Sequence, residues 1–181
     1  MRVVAGSARG LRLAAPHGDG IRPTGDRVRE AVFNALHSRG AVVGASVLDL
    51  FAGTGALGIE ALSRGAARAV FVECSRSHAD LIEANLATCG FSDRAEVVVA
   101  DAWTWLAANS GPWDLALLDP PYSFDDWPAL LAGLDADLVV VESDRAFGQA
   151  LGWHVERVRR YAGTVVTLLS PEDGDPGSSP P

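Results

Sequence analysis

Hydrophobic positions along the chain follow two alternating rhythms. Short, nearly unbroken apolar runs occur at Val47-Leu48-Asp49-Leu50-Phe51, Ala69-Val70-Phe71-Val72, Val97-Val98-Val99, Leu115-Ala116-Leu117-Leu118 and Leu138-Val139-Val140-Val141. Runs this continuous are buried on both faces, as strands of a parallel sheet are. They predict strands near 47–51, 69–73, 96–100, 114–118 and 138–142, separated by helical patterns near 56–64, 77–88, 102–109 and 125–134. The alternation implies right-handed βαβ units and an α/β fold with a mostly parallel sheet.

The ends of the chain read differently. Arg2-Val3-Val4-Ala5 and Leu11-Arg12-Leu13, separated by Gly6 to Gly10, predict a short hairpin, and Pro16 to Gly20 a loop. Thr24 or Asp26 is the expected cap of a helix reaching about His37, with Val28, Val32, Phe33 and Leu36 inward. After a short helix near 144–150, His154–Arg160 and Thr164–Leu169 predict a final hairpin about Ala162-Gly163, with the last strand antiparallel at one edge. From Ser170 the Pro, Gly, Ser and acid-rich tail is expected to be disordered. There is no internal repeat.

A chain of 181 residues suffices for one well-buried core. No apolar run is long enough to span a bilayer and no secretory segment opens the chain, so a soluble, internal protein is expected. Cys74 and Cys89 lack metal or C-x-x-C spacing and read as buried free thiols. His17, His37, His78 and His154 are scattered without ligand spacing, so no metal site is expected. Trp103, Trp105 and Trp113 read as sheet packing, and Trp127, a few residues beyond Tyr122, as core or rim packing, with a flank of the base pocket as the alternative.

Two motifs carry chemistry. Asp119-Pro120-Pro121-Tyr122 follows an apolar strand, and its prolines fix φ and remove N–H donors. What remains is a stiff set of acceptors beside an aromatic plate, suited to the exocyclic amino group and ring face of a planar base. The plainer alternative is a proline-rich turn. The second motif is Gly53-Thr54-Gly55-Ala56-Leu57-Gly58, a G-x-G-x-x-G turn between a strand and a helix. Glu73 ends the next strand about 20 residues on, where an acid accepts from ribose hydroxyls. A nicotinamide dinucleotide fits this spacing equally well, but Asp49 would repel a pyrophosphate and suit a cationic, zwitterionic ligand such as S-adenosylmethionine. A turn or cap role is the alternative for Asp49. Asp101 follows the third strand and reads as an adenine neighbour, a helix N-cap, or both.

In this order, these motifs resemble the class I S-adenosylmethionine-dependent methyltransferases that act on exocyclic or amide nitrogens. Arg9-Gly10 and Arg22-Pro23-Thr24-Gly25-Asp26-Arg27-Val28-Arg29-Glu30, with Phe33-Asn34, resemble the leader of the bacterial 16S ribosomal RNA guanine-N2 methyltransferases of the RsmD type. The resemblance runs from Arg2 to about Thr167. Two features depart from it: Tyr122 stands where the family often has Phe, and the chain contains no Lys. It implies a Rossmann-like class I methyltransferase fold with a seven-stranded sheet and an antiparallel last strand. The N-terminal hairpin, 1–24, would contact RNA, 25–169 would be the catalytic domain, and 170–181 the tail.

The expected cofactor is S-adenosylmethionine, held by Thr24, Arg27, Asp49, Phe51, Gly53, Thr54, Gly55, Glu73, Asp101, Ala102 and Asp119. Asp119, Pro120, Pro121 and Tyr122 would be the catalytic set. The expected substrate is the N2 amino group of a guanine in 16S rRNA, in the small ribosomal subunit or an assembly intermediate, with ribosomal proteins aiding docking of a cytoplasmic monomer. Net charge is −8, yet residues 1–39 hold seven Arg against three acids, a balance of +4. That asymmetry places the RNA footprint at the N-terminus, with Arg2, Arg9, Arg12 and Arg22 as phosphate contacts.

Rival readings remain open. A DNA adenine-N6 methyltransferase uses the same tetrapeptide but usually adds a recognition domain for which this chain has no room. A protein-glutamine methyltransferase usually begins the motif with Asn. A nicotinamide-dependent oxidoreductase or noncatalytic nucleotide-binding module would leave Asp-Pro-Pro-Tyr unexplained.

Overall fold

The computed structural model describes residues 1–15, 25–121, 123–146, 152–161 and 163–172. Among them, one sheet contains seven strands: β1 Ser46–Leu50, β2 Arg68–Glu73, β3 Ala95–Val99, β4 Leu115–Leu118, β5 Val139–Ser143, β6 Trp153–Tyr161 and β7 Thr164–Pro171. Their order is β3-β2-β1-β4-β5-β7-β6, with β1 to β5 parallel and β7 antiparallel to both neighbours. The order reverses between β1 and β4, so their C-terminal ends open the crevice where open α/β sheets bind ligands.

Both faces of the sheet are covered. Helices α1 Asp26–Ser38, α2 Ala56–Ser63 and α3 Arg76–Cys89 pack Phe33, Leu36, Ile59, Leu62 and Ile82 onto Val47, Phe71, Leu117 and Val140. On the other face α4 Ala102–Leu106 and α5 Trp127–Ala132 set Leu106, Trp127 and Leu130 against Leu48, Val72, Leu118 and Val141. Every residue of α2 is buried. Gly58 makes this possible: a Cβ there would lie 2.3 Å from the Phe71 ring, so only hydrogen lets the helix approach β2 so closely.

The N-terminal segment turns back on itself, with an antiparallel bridge between Arg2 and Arg12. Polar side chains pin it to the fold. The Glu60 carboxylate, fully buried, accepts from the Val4 and Ala5 amides at 2.8 and 3.0 Å. It also pairs with Arg64 at 2.7 Å and with the fully buried Arg29 at 3.6 Å. Ser63 Oγ accepts from the Ala8 amide and donates to the Ala5 carbonyl, while Arg29 donates to the Arg2 carbonyl. Gly6 is required here, because a Cβ would lie 1.9 Å from the Ser63 carbonyl oxygen and its φ is +85°.

Several expectations need correction. α1 starts after Gly25 with no side-chain cap, so Asp26 is its first residue, not its cap; it instead pairs with Arg29 one turn on at 2.9 Å. Residues 144–146 are not helical, and 147–150 lie outside the described residues, as do 16–24, Ala162 and 173–181. The last strand is not at the edge: β7 inserts between β5 and β6, because its apolar residues need pairing on both sides whereas β6 is largely exposed. β7 also runs through Ser170 and Pro171, which pair with His154 and Trp153 where a tail was expected. Cys89 is buried but Cys74 is exposed, where partial desolvation and the adjoining Glu73 charge push its thiol pKa up and keep it protonated.

Two substitutions test this packing. Gly58→Ala forces a methyl group into Phe71 and should cost about 1–3 kcal/mol in denaturant unfolding. Glu60→Ala removes the buried carboxylate shared by Arg29 and Arg64 and should cost about 3–5 kcal/mol, with faster amide exchange at Val4 and Ala5.

Candidate active site

The crevice is built from the residues that follow each parallel strand. β1 is followed by Phe51, which adopts φ +66°, a left-handed conformation that a bulky residue takes only when its surroundings impose it. The next residues close the turn: the Ala52 amide donates to Val72 at 3.0 Å and the Gly55 amide to Ala52 at 2.7 Å. Gly53 and Gly55 also have positive φ, +56° and +74°. A Cβ on Gly53 would meet only the Phe51 carbonyl oxygen, at 3.9 Å, so its face is open to a ligand.

Two carboxylates hold this turn. Asp49, 1% exposed, accepts from the Gly58 amide at 2.8 Å, so the structural role considered as an alternative exists, reaching through the turn into α2. Glu73 accepts from the Gly53 amide at 2.9 Å with one oxygen and from the Ser75 amide at 2.8 Å with the other. Each carboxylate oxygen has a second lone pair, so these bonds leave acceptor capacity for ribose hydroxyls. Burial pushes the Asp49 pKa well above the ordinary carboxylate range; the Gly58 amide opposes this, and the charges of Asp119, Glu73 and Glu142 reinforce it. Among the described residues, the charges that bear on Asp49 are all negative.

The other predicted residues divide. Asp119 is half-buried just beyond Leu118, whose neighbour across the pairing is Leu50; Pro120 is buried and Pro121 exposed. Thr54 and Ala102 are buried beside the turn and at the start of α4. Asp101 is the N-cap of α4, accepting from the Thr104 amide at 3.0 Å. Arg27 is exposed in the first turn of α1, and Arg2, Arg9 and Arg12 are exposed on the N-terminal segment. Thr24, Arg22 and Tyr122 lie outside the described residues.

Sequence reasoning missed two features. Phe124, whose amide donates to the Pro121 carbonyl at 2.8 Å, is the hub of an aromatic cluster beside the proline motif. Its ring lies 5.7 Å from Phe51, 4.9 Å from Trp127 and 5.9 Å, stacked, from Trp103. Trp103 is 36% exposed and so lines the rim instead of packing the sheet as expected. The second is Asn85 of α3, 2% exposed, which donates to the Thr54 and Ala14 carbonyls, both at 3.1 Å, and accepts from the Ala14 amide at 2.8 Å. No local pattern marks Asn85; Phe124 had a signal in its place two residues past Tyr122.

A family model described as Conserved hypothetical protein 95 matches residues 1–169. The chain belongs to this family. Within similar proteins, Ribosomal RNA small subunit methyltransferase D of Escherichia coli K12 is 43% identical over 122 residues, 67% of this chain and 60% of that protein. The matched stretch thus spans less than two thirds of that relative. YlbH of Bacillus subtilis, named as an rRNA methyltransferase, is 37% identical over 80% of this chain and 83% of its own. The solved structure of E. coli yhhF superposes with a TM-score of 0.81 at 37% identity, covering 95% of this chain and 98% of that one. The expected RsmD-type family and Rossmann-like methyltransferase fold are both borne out. Among the described residues, no helix is long and apolar enough to cross a membrane, and no group of three or more His, Cys, Asp or Glu side chains could hold a metal.

The raised Asp49 pKa gives this family member a pH signature. The folded state holds the Asp49 proton at pH values where the unfolded chain has released it, so this group's contribution to stability declines as pH rises above about 4. Asp49→Asn keeps an acceptor for Gly58 and removes the charge. Thermal melts should show the variant more stable than the parent at pH 7, with the difference closing towards pH 4.

Proposed function

We propose that the protein is a cytoplasmic S-adenosylmethionine-dependent methyltransferase acting on the N2 amino group of a guanine in 16S rRNA. The observation that carries this reading is the set of carboxylates, Asp49, Glu73 and Asp119, gathered around an open glycine turn. Such a site repels a dinucleotide pyrophosphate and attracts a cation, which disfavours the nicotinamide alternative. The relatives named as ribosomal RNA small subunit methyltransferases supply the substrate class.

When bound, S-adenosylmethionine supplies an electrophilic methyl group on a sulfonium. Gly53 and Gly55 would let it approach the backbone, Asp49 would face its amino acid end with Thr24 or Arg27, Glu73 its ribose, and Asp101 and Ala102 its adenine. Phe51 and Thr54 would complete the turn's wall. The work of the chain is then to orient the base. Asp119 and the Pro120 carbonyl would accept the two hydrogens of the guanine amino group, and Tyr122 would stack on the ring. Those acceptors orient the nitrogen lone pair, which is delocalised into the ring, and favour the positive charge that develops on it. Positioning of this kind supplies roughly 7–11 kcal/mol of barrier reduction, and stacking about 1–3 kcal/mol of base binding. Arg2, Arg9, Arg12 and Arg22 would hold phosphates of the substrate, and ribosomal proteins would share in docking a monomeric enzyme.

The test is transfer of a labelled methyl group to undermethylated small subunits, protein-free rRNA, DNA and release factor in parallel. Label should enter the small-subunit RNA. Asp119→Ala should abolish transfer while S-adenosylhomocysteine still binds within a few-fold by calorimetry; near-normal turnover in that variant would remove Asp119 from the mechanism.

A further inference from the structure

Strand β6 forms the outer edge of the sheet and carries Arg157, Arg159 and Arg160 within four positions, all exposed. Its one acid, Glu156, is already engaged: Arg39, which follows α1, pairs with it at 2.8 Å, and Ser170 donates to it at 2.9 Å. β7 brings no acid to the hairpin. Among the described residues the three arginines make no ion pair. In a chain of net charge −8 this is a second concentration of positive charge, well apart in sequence from the N-terminal segment.

Register sets its position relative to the crevice. Leu118 pairs with Val141, Val141 with Thr167, and Thr167 with Val158. Asp119 therefore lies at the level of Arg159, and Arg160 lies one residue nearer the rim. Three strand spacings separate β4 from β6, about 14 Å at roughly 4.8 Å each. Pleating sends Arg157 and Arg159 to the face covered by α1 and Arg160 to the opposite face, so the charges straddle the edge. On the α1 side, Arg27 stands in the first turn of the helix whose far end Arg39 ties to β6.

We infer that the β6 edge, through Arg157, Arg159 and Arg160, is a second RNA-backbone contact surface, which holds the strand leaving the crevice on the side opposite the glycine turn. The inference rests on the methyltransferase reading above and extends its footprint beyond the N-terminal arginines. Guanidinium groups at this spacing suit phosphates, which they grip with paired N–H donors. Such contacts are sequence-independent and release counterions, so they have a measurable salt signature.

The experiment compares wild type with Arg157→Ala/Arg159→Ala/Arg160→Ala on undermethylated small subunits and on protein-free 16S rRNA. The triple variant should raise KM for the RNA substrate about tenfold at fixed salt, with kcat and S-adenosylhomocysteine affinity within twofold of wild type. Its log–log salt dependence of kcat/KM should flatten by about 2, from roughly 0.7 per lost phosphate contact. Arg159→Gln/Arg160→Gln gives a milder version if the triple variant melts early, and the matching Lys variants should restore most of the salt slope. A wild-type protein that methylates neither substrate overturns the reading beneath this inference. An active wild type with a triple variant of equal KM and salt slope overturns the surface alone. Self-association of the variant in light scattering, at an unchanged salt slope, also overturns it, assigning the arginines to protection of an exposed strand edge.

Discussion

The glycine turn is held between two acids, and the crevice depends on that grip. Asp49, on β1, takes the Gly58 amide, and Glu73, at the end of β2, takes the Gly53 amide, so the turn is fastened at both ends to adjacent strands. Without these acceptors the strained Phe51 conformation and the two left-handed glycines would lack the surroundings that impose them. The grip has an electrostatic cost. Burial of the Asp49 carboxyl disfavours its charged form, and the charges of Asp119, Glu73 and Glu142 add to that cost, as its upward shift records. A site that destabilises its own fold in this way is stabilised by a cationic ligand, and binding and folding then draw on the same interaction.

Helix α2 links that turn to the N-terminal segment. Its eight residues are buried all round, which is the condition of a helix inside a protein and not of one on its surface. One end fits Gly58 against Phe71, while Glu60 and Ser63 reach out to hold the backbone of residues 4–8. Asn85 adds a second link, joining Ala14 directly to the Thr54 carbonyl within the glycine turn. The segment that carries Arg2, Arg9 and Arg12 is thus hydrogen-bonded to α2 near its start and, through Asn85, to the glycine turn near its end. RNA docking on those arginines would act on a rigid body continuous with the crevice.

What could be read from the chain follows the range of the interactions. The parallel strands lie within about two residues of their expected positions because burial on both faces writes itself as continuous apolar runs. The third glycine and Glu73 were legible because their partners sit at fixed offsets in a βαβ unit. Glu60 was not: a lone acid in a helix usually faces solvent, and its two guanidinium partners come from separate helical turns and a separate helix. The insertion of β7 escaped for a similar reason, since hairpin pairing is local but the choice of which strand faces β5 depends on which has two apolar sides. The bond from Gly58 to Asp49 spans nine residues through a turn the sequence does not draw, so only a general turn or cap role could be read for Asp49.

Net charge is a poor guide to partners in such a molecule. By strand spacing β6 lies about 14 Å from β4, which leads into Asp119, and farther from the strands of Asp49 and Glu73, beyond the roughly 8 Å over which charges act on one another across physiological salt. Each surface therefore presents its own sign to what approaches it. In the proposed reading a cationic cofactor would meet Asp49, Glu73 and Asp119, while a polyanion would meet guanidinium groups on the N-terminal segment and on the sheet edge. The excess of acids elsewhere need not weaken either encounter. It does oppose nonspecific adhesion to nucleic acid, because a chain of net −8 gains little from contacts that miss the basic surfaces. On that proposal the two signs together would select one orientation on the substrate, with the crevice facing the RNA and the acidic remainder facing away.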